Sequence, residues 1–174
     1  MRRVRTVITG VRSDGRSAAL MADVPALRSP APADWHGVWG WDEPPPLPLP
    51  LPPDAPPESV FPPAGGVRVA TVVCPPGLGT TLAPLPAGDP STAGFARRYA
   101  AVPTGGAHDE RSAVHDTATV DVVFLIAGEI ELELEAETVA LRQGDVVVQH
   151  GTVHAWRNRG AEACVLGIVN LRAA

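Results

Sequence analysis

The chain of 174 residues contains no lysine, because all fourteen of its basic residues are arginine. Without a lysine amine, a Schiff base, a pyridoxal phosphate anchor and a P-loop lysine are all excluded. The chain has only two cysteines, Cys74 and Cys164, each in an apolar stretch typical of a strand. This placement favours buried thiols over a disulfide or a redox pair.

Long apolar runs are also missing. No stretch approaches the length needed to span a membrane, and the first residues lack the apolar segment of a secretory signal. The formal net charge of -5 argues against a nucleic-acid partner, which would require a basic face. We therefore expect a cytoplasmic protein with neither a membrane nor a nucleic acid as partner. Its length suits a single hydrophobic core.

Proline is abundant, with twenty residues concentrated in the first half of the chain. Residues 4–9 are rich in β-formers and precede the turn residues 13–15, which predicts an N-terminal hairpin. Residues 25–66 contain too many prolines for a helix or a central strand, so an arm lying over the rest of the protein is expected. The predicted division is residues 1–66 as hairpin and arm and residues 67–174 as a barrel. Three tryptophans in the arm would fasten it to the barrel or to a second subunit, or line a substrate entrance: Trp35, Trp39 and Trp41.

The second half of the chain predicts strands. Residues 77–109 are loop-like, with a short helical or irregular piece near residues 93–100. From His115 onward, short β-rich segments follow one another between glycine turns. In residues 129–135, glutamates alternate with apolar residues that would face the core: Ile130, Leu132 and Leu134. The predicted fold class is all-β, a sandwich or closed barrel.

One predicted strand, residues 115–128, carries the residues with chemical potential. In a strand, alternate residues share a face. The odd-numbered face is polar at first and then apolar: His115, Thr117, Thr119, Asp121, Val123 and Leu125. Buried polar groups need partners, and one metal ion would satisfy a histidine and an aspartate together. The pattern indicates the polar mouth of a barrel with an apolar floor.

At this point the chain resembles the cupin superfamily of small jelly-roll barrels. The first cupin motif is His-x-His, three or four residues, Glu, six residues and Gly. Here the same spacing is occupied by His115, Thr117, Asp121 and Gly128. The resemblance implies a jelly-roll barrel, also called a double-stranded β-helix, preceded by the N-terminal hairpin and the proline-rich arm.

The second cupin motif is Gly, then Pro-x-Gly, two residues, His, three residues and Asn. This chain matches it with Gly144, Gly151, His154 and Asn158, although the two glycines are one residue closer than usual. His154 therefore occupies the ligand position, whereas His150 occupies the family's proline position at the rim. Asn158 is expected to hold the strand end through backbone hydrogen bonds. Trp156 is expected to pack outside the barrel or at an interface.

The resemblance implies a divalent metal ion held by His115, Asp121 and His154. Thr117 replaces the second histidine and Asp121 replaces the glutamate, so the usual set of three histidines and one glutamate is reduced to three ligands. Two histidines and a carboxylate suit Zn, Fe(II), Mn or Ni. Asp121 has an alternative role, which is only to orient a histidine. Thr117 would hydrogen-bond a substrate oxygen, and His150 is a candidate for moving protons.

Three functions remain open at this stage. The first is a metal-dependent enzyme that uses Lewis-acid chemistry as an isomerase, dehydratase, cyclase or decarboxylase, within natural-product metabolism. Its small substrate would be partly hydrophobic with one oxygenated end, such as an aromatic acid. The second is a metal-dependent dioxygenase, and the third is a non-catalytic small-ligand-binding module. Because small cupins often exchange N-terminal strands, a homodimer crossing over residues 4–22 is expected.

Overall fold

The structure is a computed structural model that describes residues 4–24, 33–52, 59–79, 95–98 and 114–172; the side chains of residues 22–24 and 95–98 are outside this description. Within these ranges the chain forms twelve strands: β1 Val4–Val11, β2 Ser17–Val24, β3 Asp34–Trp41, β4 Val67–Cys74, β5 Phe95–Arg98, β6 His115–Thr117, β7 Val120–Ala127, β8 Glu129–Leu134, β9 Thr138–Arg142, β10 Val146–Gln149, β11 His154–Arg157 and β12 Cys164–Leu171. The all-β prediction is confirmed. The described residues include no helix able to cross a membrane.

The strands form two five-stranded antiparallel sheets and a separate hairpin. The first sheet has the order β10-β7-β12-β4-β3, and the second has the order β5-β6-β11-β8-β9. The hairpin pairs β1 with β2 over their full length, as residues 4–9 and the turn at 13–15 predict. Strand order differs from chain order in both five-stranded sheets, which is the arrangement of a jelly roll.

Alternation along each strand places one face of the first sheet in the interior. In β7 the inward residues Asp121, Val123 and Leu125 are buried, whereas Phe124 and Ile126 on the opposite face are exposed. The alternation of β8 is confirmed in the same way, with Ile130 and Leu132 in the interior. The apolar core joins inward residues of both sheets: Val72, Cys74, Val123, Leu125, Ile130, Cys164, Leu166 and Ile168.

The two cysteines are free and lie directly opposite each other on β4 and β12. Both thiols are buried in the apolar core, in agreement with the sequence prediction. A hydrogen bond to Cys164 and burial together raise the pKa of Cys74 well above its ordinary value. Cys74 is therefore a protonated thiol at neutral pH, which makes it chemically inert.

The structure differs from the sequence prediction in the segment that begins at His115. The predicted single strand is divided into β6 and β7, which belong to different sheets. Residues 118–119 form a bend between them, because a closed barrel must turn corners where its chain changes sheet. The bend keeps Thr119 and Asp121 on the interior side, so the predicted polar face survives the change of sheet.

Two further differences concern the first hundred residues. β3 extends the sheet by pairing with β4, so this part of the proline-rich arm is an edge strand of the barrel. Residues 95–98 form a strand, β5, where a helical or irregular piece was expected. The loop expected over residues 77–109, including His108, lies largely outside the described residues.

Candidate functional site

A row of polar side chains crosses the interior of the first sheet at one end. Asp121 on β7 lies opposite Gln149 on β10 and opposite Asn170 on β12, and Asn170 lies opposite Arg68 on β4. We call Gln149, Asp121, Asn170 and Arg68 the polar row. All four are at most 7% exposed. Because strand partners point to the same side of a sheet, the row closes one end of the apolar core.

Arg68 has a structural role within the polar row. Its guanidinium group donates to the Ser59 carbonyl and hydroxyl, to the Trp41 and Val67 carbonyls, and to Asp42 Oδ1 at 2.6 Å. These partners lie at the end of β3 and just before β4. Arg68 therefore fastens two parts of the proline-rich arm, residues 41–42 and Ser59, to the barrel.

His115 and His154 form a pair in the second sheet. They lie directly opposite each other on β6 and β11, and their ring centroids are 4.4 Å apart. His154 is 2% exposed, whereas His115 is partly exposed. The two imidazoles predicted to work together are thus in contact, at the border between the interior and the surface.

The tautomer of His154 follows from its hydrogen bond. Nδ1 lies 2.8 Å from the carbonyl oxygen of Thr152. A carbonyl oxygen only accepts, so Nδ1 carries the proton and Nε2 has the free lone pair. The turn that supplies Thr152 needs a glycine at 151, where φ is +63° and a Cβ would lie 2.7 Å from the Thr117 carbonyl oxygen.

Burial lowers the pKa of His154 below its ordinary value of about 6.5. The hydrogen bond to Thr152 and the charges of Asp121 and Asp116 act in the opposite direction. The charge of Asp121 therefore reaches His154 although the two residues belong to different sheets. Gln149 connects the polar row to the same turn, because its Nε2 donates to the Thr152 carbonyl oxygen at 3.1 Å and to the Thr152 hydroxyl.

The two residues predicted to act in catalysis lie in different environments. Thr117 is 6% exposed, and its hydroxyl has no hydrogen-bond partner within the described part of the chain. The Thr119 hydroxyl and the Oδ1 atom of Asn170 are also buried without a hydrogen-bond partner among the described residues. His150 is exposed at the end of β10, so it lies at the rim as predicted and outside the buried cluster.

The predicted metal set is only partly assembled. His115 and His154 are in contact, but Asp121 Oδ1 accepts a hydrogen bond from Asn170 Nδ2 at 2.7 Å. Among the described residues, no three His, Cys, Asp or Glu side chains converge closely enough to hold a metal ion. The described donors therefore do not fit a three-ligand site. The divalent metal remains a prediction from the resemblance.

A separate pocket of about 560 Å³ lies between β8, β9 and β11. It contains no histidine, and its three arginines are balanced by three carboxylates: Arg142, Arg157, Arg159, Glu129, Glu131 and Asp145. Arg159 forms an ion pair with Glu131 at 2.8 Å, and Arg157 forms one with Glu133. Two of its three arginines are thus held in ion pairs, so His154 and the polar row remain the better candidate site.

The comparison with family models decides the classification. The model for the cupin domain matches residues 98–170. Residues 98–170 are a cupin domain. The matched range contains every residue predicted from the two motifs, including His115, Asp121 and His154. Arg68 lies before it, in the part of the barrel that the cupin model does not cover.

Proteins of biosynthetic gene clusters are similar to part of this chain. Oryzines biosynthesis cluster protein J of Aspergillus oryzae (strain ATCC 42149 / RIB 40) is 53% identical over 45 residues, 25% of each protein. Phomopsin biosynthesis cluster protein C' of Diaporthe leptostromiformis is 45% identical over 53 residues, 30% of this chain and 28% of that protein. The matches thus span little more than a quarter of these relatives.

Solved cupin structures share low sequence identity with this chain. The cupin domain of Schizosaccharomyces pombe Cnp3 has a TM-score of 0.45 and 13% identity, covering 99% of this chain and 88% of that one. A cupin 2 conserved barrel domain protein of Salinispora arenicola CNS-205 has a TM-score of 0.39 and 15% identity, covering 62% of this chain and 64% of that one.

Sequence reasoning missed three residues of the polar row of the cupin barrel. Gln149, Asn170 and Arg68 each look like an ordinary polar residue at the end of an apolar strand. The signal that could have found such a residue is the alternation of faces along a strand. In β12, Asn170 continues the inward series Cys164, Leu166 and Ile168. Which of the two faces is inward is not visible in one strand alone, because it depends on the neighbouring sheet. Trp156 was also misplaced, since it packs against the apolar core.

Proposed function

We propose that this protein is an enzyme acting on a small, partly apolar organic molecule in natural-product metabolism, with His154 as its reactive side chain. The observation that carries the proposal is the contact between His154 and His115 at the border of the interior. The similarity to proteins of two biosynthesis clusters supports the metabolic setting.

The arrangement suits proton transfer. Because Nδ1 of His154 donates to Thr152, its Nε2 is an unprotonated acceptor for a substrate proton. Burial lowers the pKa of His154 and so maintains the neutral ring needed for a base. The hydroxyl of Thr117, which lacks a described partner, is available to hold a substrate oxygen. These roles correspond to the isomerase, dehydratase and decarboxylase reactions expected from the sequence.

Turnover of an unknown substrate is tested by incubating the purified protein with a small-molecule extract of the organism that carries its gene. Mass spectrometry should find at least one compound consumed and another formed. His154→Gln should abolish this conversion, and the exposed variant Glu135→Gln should retain it. If no compound changes with the wild-type protein, a non-catalytic binding module is the better description. Consumption of O2 in step with the substrate would instead support a dioxygenase.

A metal-dependent enzyme is the second candidate, favoured by the contact between two imidazoles. The Lewis-acid and dioxygenase hypotheses both require the metal. If this second hypothesis is right, elemental analysis of protein purified without a His tag finds one divalent metal ion per chain. His154→Ala should lose most of it, whereas His150→Ala should retain it. Equal retention by the two variants would refute the ligand assignment, and so would a wild-type protein that takes up no metal.

We also propose that two copies of the chain associate. Apolar side chains on the outer face of β7 and β10 are about half exposed: Phe124, Ile126, Val146 and Val148. The hairpin presents Val7 and Met21 in the same way. Apolar patches of this kind often mark association surfaces. Light scattering at micromolar concentration should give twice the mass of one chain, and Phe124→Asp should reduce it to one.

A further inference from the structure

We infer that the substrate group entering the polar end of the barrel is a hydrogen-bond donor, and that a protonated amine fits it best. The inference rests on the proposed function, because it takes the surroundings of His154 as the binding site. It changes the expectation from sequence, in which the substrate ended in an oxygenated group such as a carboxylic acid.

The first observation is the orientation of Asn170. Its Nδ2 donates to Asp121 Oδ1 at 2.7 Å, which fixes the amide because a carboxylate accepts and never donates. The Oδ1 atom must therefore be the other end of the amide. It is buried and has no partner among the described residues. A buried carbonyl oxygen without a donor is costly, so this atom calls for a donor beyond the described residues, which a ligand can supply.

The second observation is the negative charge. The Asp121 carboxylate is 7% exposed, and its charge acts on His154. Arg68 cannot neutralise it, because the guanidinium group is occupied by Ser59, by Asp42 and by two backbone carbonyls. The Asp116 carboxylate is 5% exposed and its charge also acts on His154, so it adds to the negative charge near this histidine.

The third observation is that three of the described polar groups near His154 can only accept hydrogen bonds. The lone pair of His154 Nε2, Asn170 Oδ1 and the Asp121 carboxylate are all acceptors. The two buried hydroxyls, Thr117 and Thr119, can either donate or accept and have no described partner. A ligand carboxylate would place an anion beside Asp121, whereas an ammonium group offers three N–H donors and the opposite charge.

The body of such a ligand would meet apolar side chains. The inward residues next to the polar row are Val123 on β7 and Ile168 on β12, which belong to the apolar core. An aryl-alkyl amine therefore matches both parts of the interior. It places its ammonium group at the polar row and its ring toward Val123 and Ile168.

Three probes of similar shape test the inference: 2-phenylethylamine, 2-phenylethanol and 3-phenylpropionate. Calorimetric titration uses the full chain treated with a chelator, so that a bound metal ion does not contribute. The amine should bind about tenfold more tightly than the alcohol, and the carboxylate should bind more weakly than both. Equal affinity for the amine and the carboxylate overturns the inference, as does failure of the amine to bind at millimolar concentration.

Two variants test whether the charge of Asp121 determines the affinity for the amine. Asp121→Asn preserves shape and should lower the amine affinity about tenfold while changing the alcohol affinity by less than about threefold. Glu135→Gln removes an exposed carboxylate and should change neither. An amine affinity that is unaffected by Asp121→Asn contradicts the inference. The wild-type probe series needs no variant, so it remains decisive if Asp121→Asn fails to fold.

The two proposals fail separately. If the extract experiment identifies a substrate without a donor group while His154→Gln abolishes its conversion, the inference fails and the proposed function stands. If the amine binds through Asp121 but no compound is converted, the inference stands and the chain is a binding module.

Discussion

Strands β4, β7 and β12 each place a polar residue at one end of the barrel interior and apolar residues at the other. At the apolar end, inward side chains from both sheets form one buried cluster. At the polar end, the described hydroxyls of Thr117 and Thr119 and the Oδ1 atom of Asn170 are buried without partners. Close packing stabilises the first region, whereas the second keeps unsatisfied groups that a ligand can satisfy. The same strands therefore separate a region that stabilises the fold from the proposed binding region.

The largest effect is expected from removing packing at the apolar end. Leu125→Ala should lower the free energy of unfolding by about 3 kcal/mol, because Leu125 is buried and its loss leaves a cavity. Urea denaturation measures the change. Ile126→Ala, at the adjacent exposed position, is the control and should cost less than about 1 kcal/mol. Similar costs at both positions would show that the two faces of β7 are wrongly assigned.

The second largest loss of stability is expected from removing a buried polar side chain whose hydrogen bonds are all made. Asn158 is fully buried; its Nδ2 donates to the Cys74 and Glu162 carbonyls at 3.0 and 2.9 Å, and its Oδ1 accepts from the Gly160 amide. This geometry confirms the role in holding the strand end that the sequence predicted. Asn158→Ala should cost about 2 kcal/mol, because the backbone partners lose their hydrogen bonds. A cost below about 0.5 kcal/mol in urea denaturation would contradict this role.

At the polar end, removing a side-chain hydroxyl should raise the free energy of unfolding instead of lowering it. Thr119→Val replaces a buried hydroxyl without a described partner by a methyl group of similar shape. The substitution should raise the free energy of unfolding by about 1 kcal/mol, because the hydroxyl is no longer desolvated without compensation. Thr138→Val on exposed β9 is the control and should stay within about 0.5 kcal/mol. If Thr119→Val destabilises the protein, that hydroxyl has a stabilising partner and the comparison fails.

The smallest change in stability is expected from the titration of His154. Its hydrogen bond and the neighbouring carboxylates oppose the lowering of its pKa by burial. The folded pKa lies below that of the unfolded chain, about 6.5, so the unfolded state binds more protons below that pH. The free energy of unfolding should therefore fall as the pH drops through about 6.5 toward the folded pKa.

Urea denaturation of the wild type and His154→Gln between pH 7.5 and about 5 isolates this contribution, because other groups titrate in both proteins. The wild type should lose more stability than the variant over that range. Equal slopes would mean that the pKa of His154 is the same in the folded and unfolded states, which would contradict its burial.

Much of the architecture was predictable because it rests on local pattern. Residues 4–9 with their turn specify a hairpin, and the alternating glutamates of residues 129–135 specify a strand with one buried face. The resemblance to the two cupin motifs predicted that His115 and His154 belong to one site, and their rings are in contact. The buried placement of the two cysteines followed from the apolar runs around them.

Local pattern failed where a residue's environment depends on distant strands. The corner at residues 118–119 divides a stretch that is uniformly β-forming, so nothing in it marks the change of sheet. β3 resembled part of a proline-rich arm, and only pairing with β4 makes it an edge strand. The ligand role of Asp121 was open from the sequence, and the contact with Asn170, 49 residues away, arises from the β7–β12 ladder.

The sequence by itself determined the fold class, the hairpin and the inward alternation, because each is encoded in the pattern of residues along single strands and turns. Tertiary structure alone decided that Gln149, Asp121, Asn170 and Arg68 form one row, and that Asp121 accepts a hydrogen bond from Asn170. The physical reason is that register between strands distant in the chain determines which side chains are neighbours. Those neighbours, in turn, determine which buried polar atoms remain for a ligand.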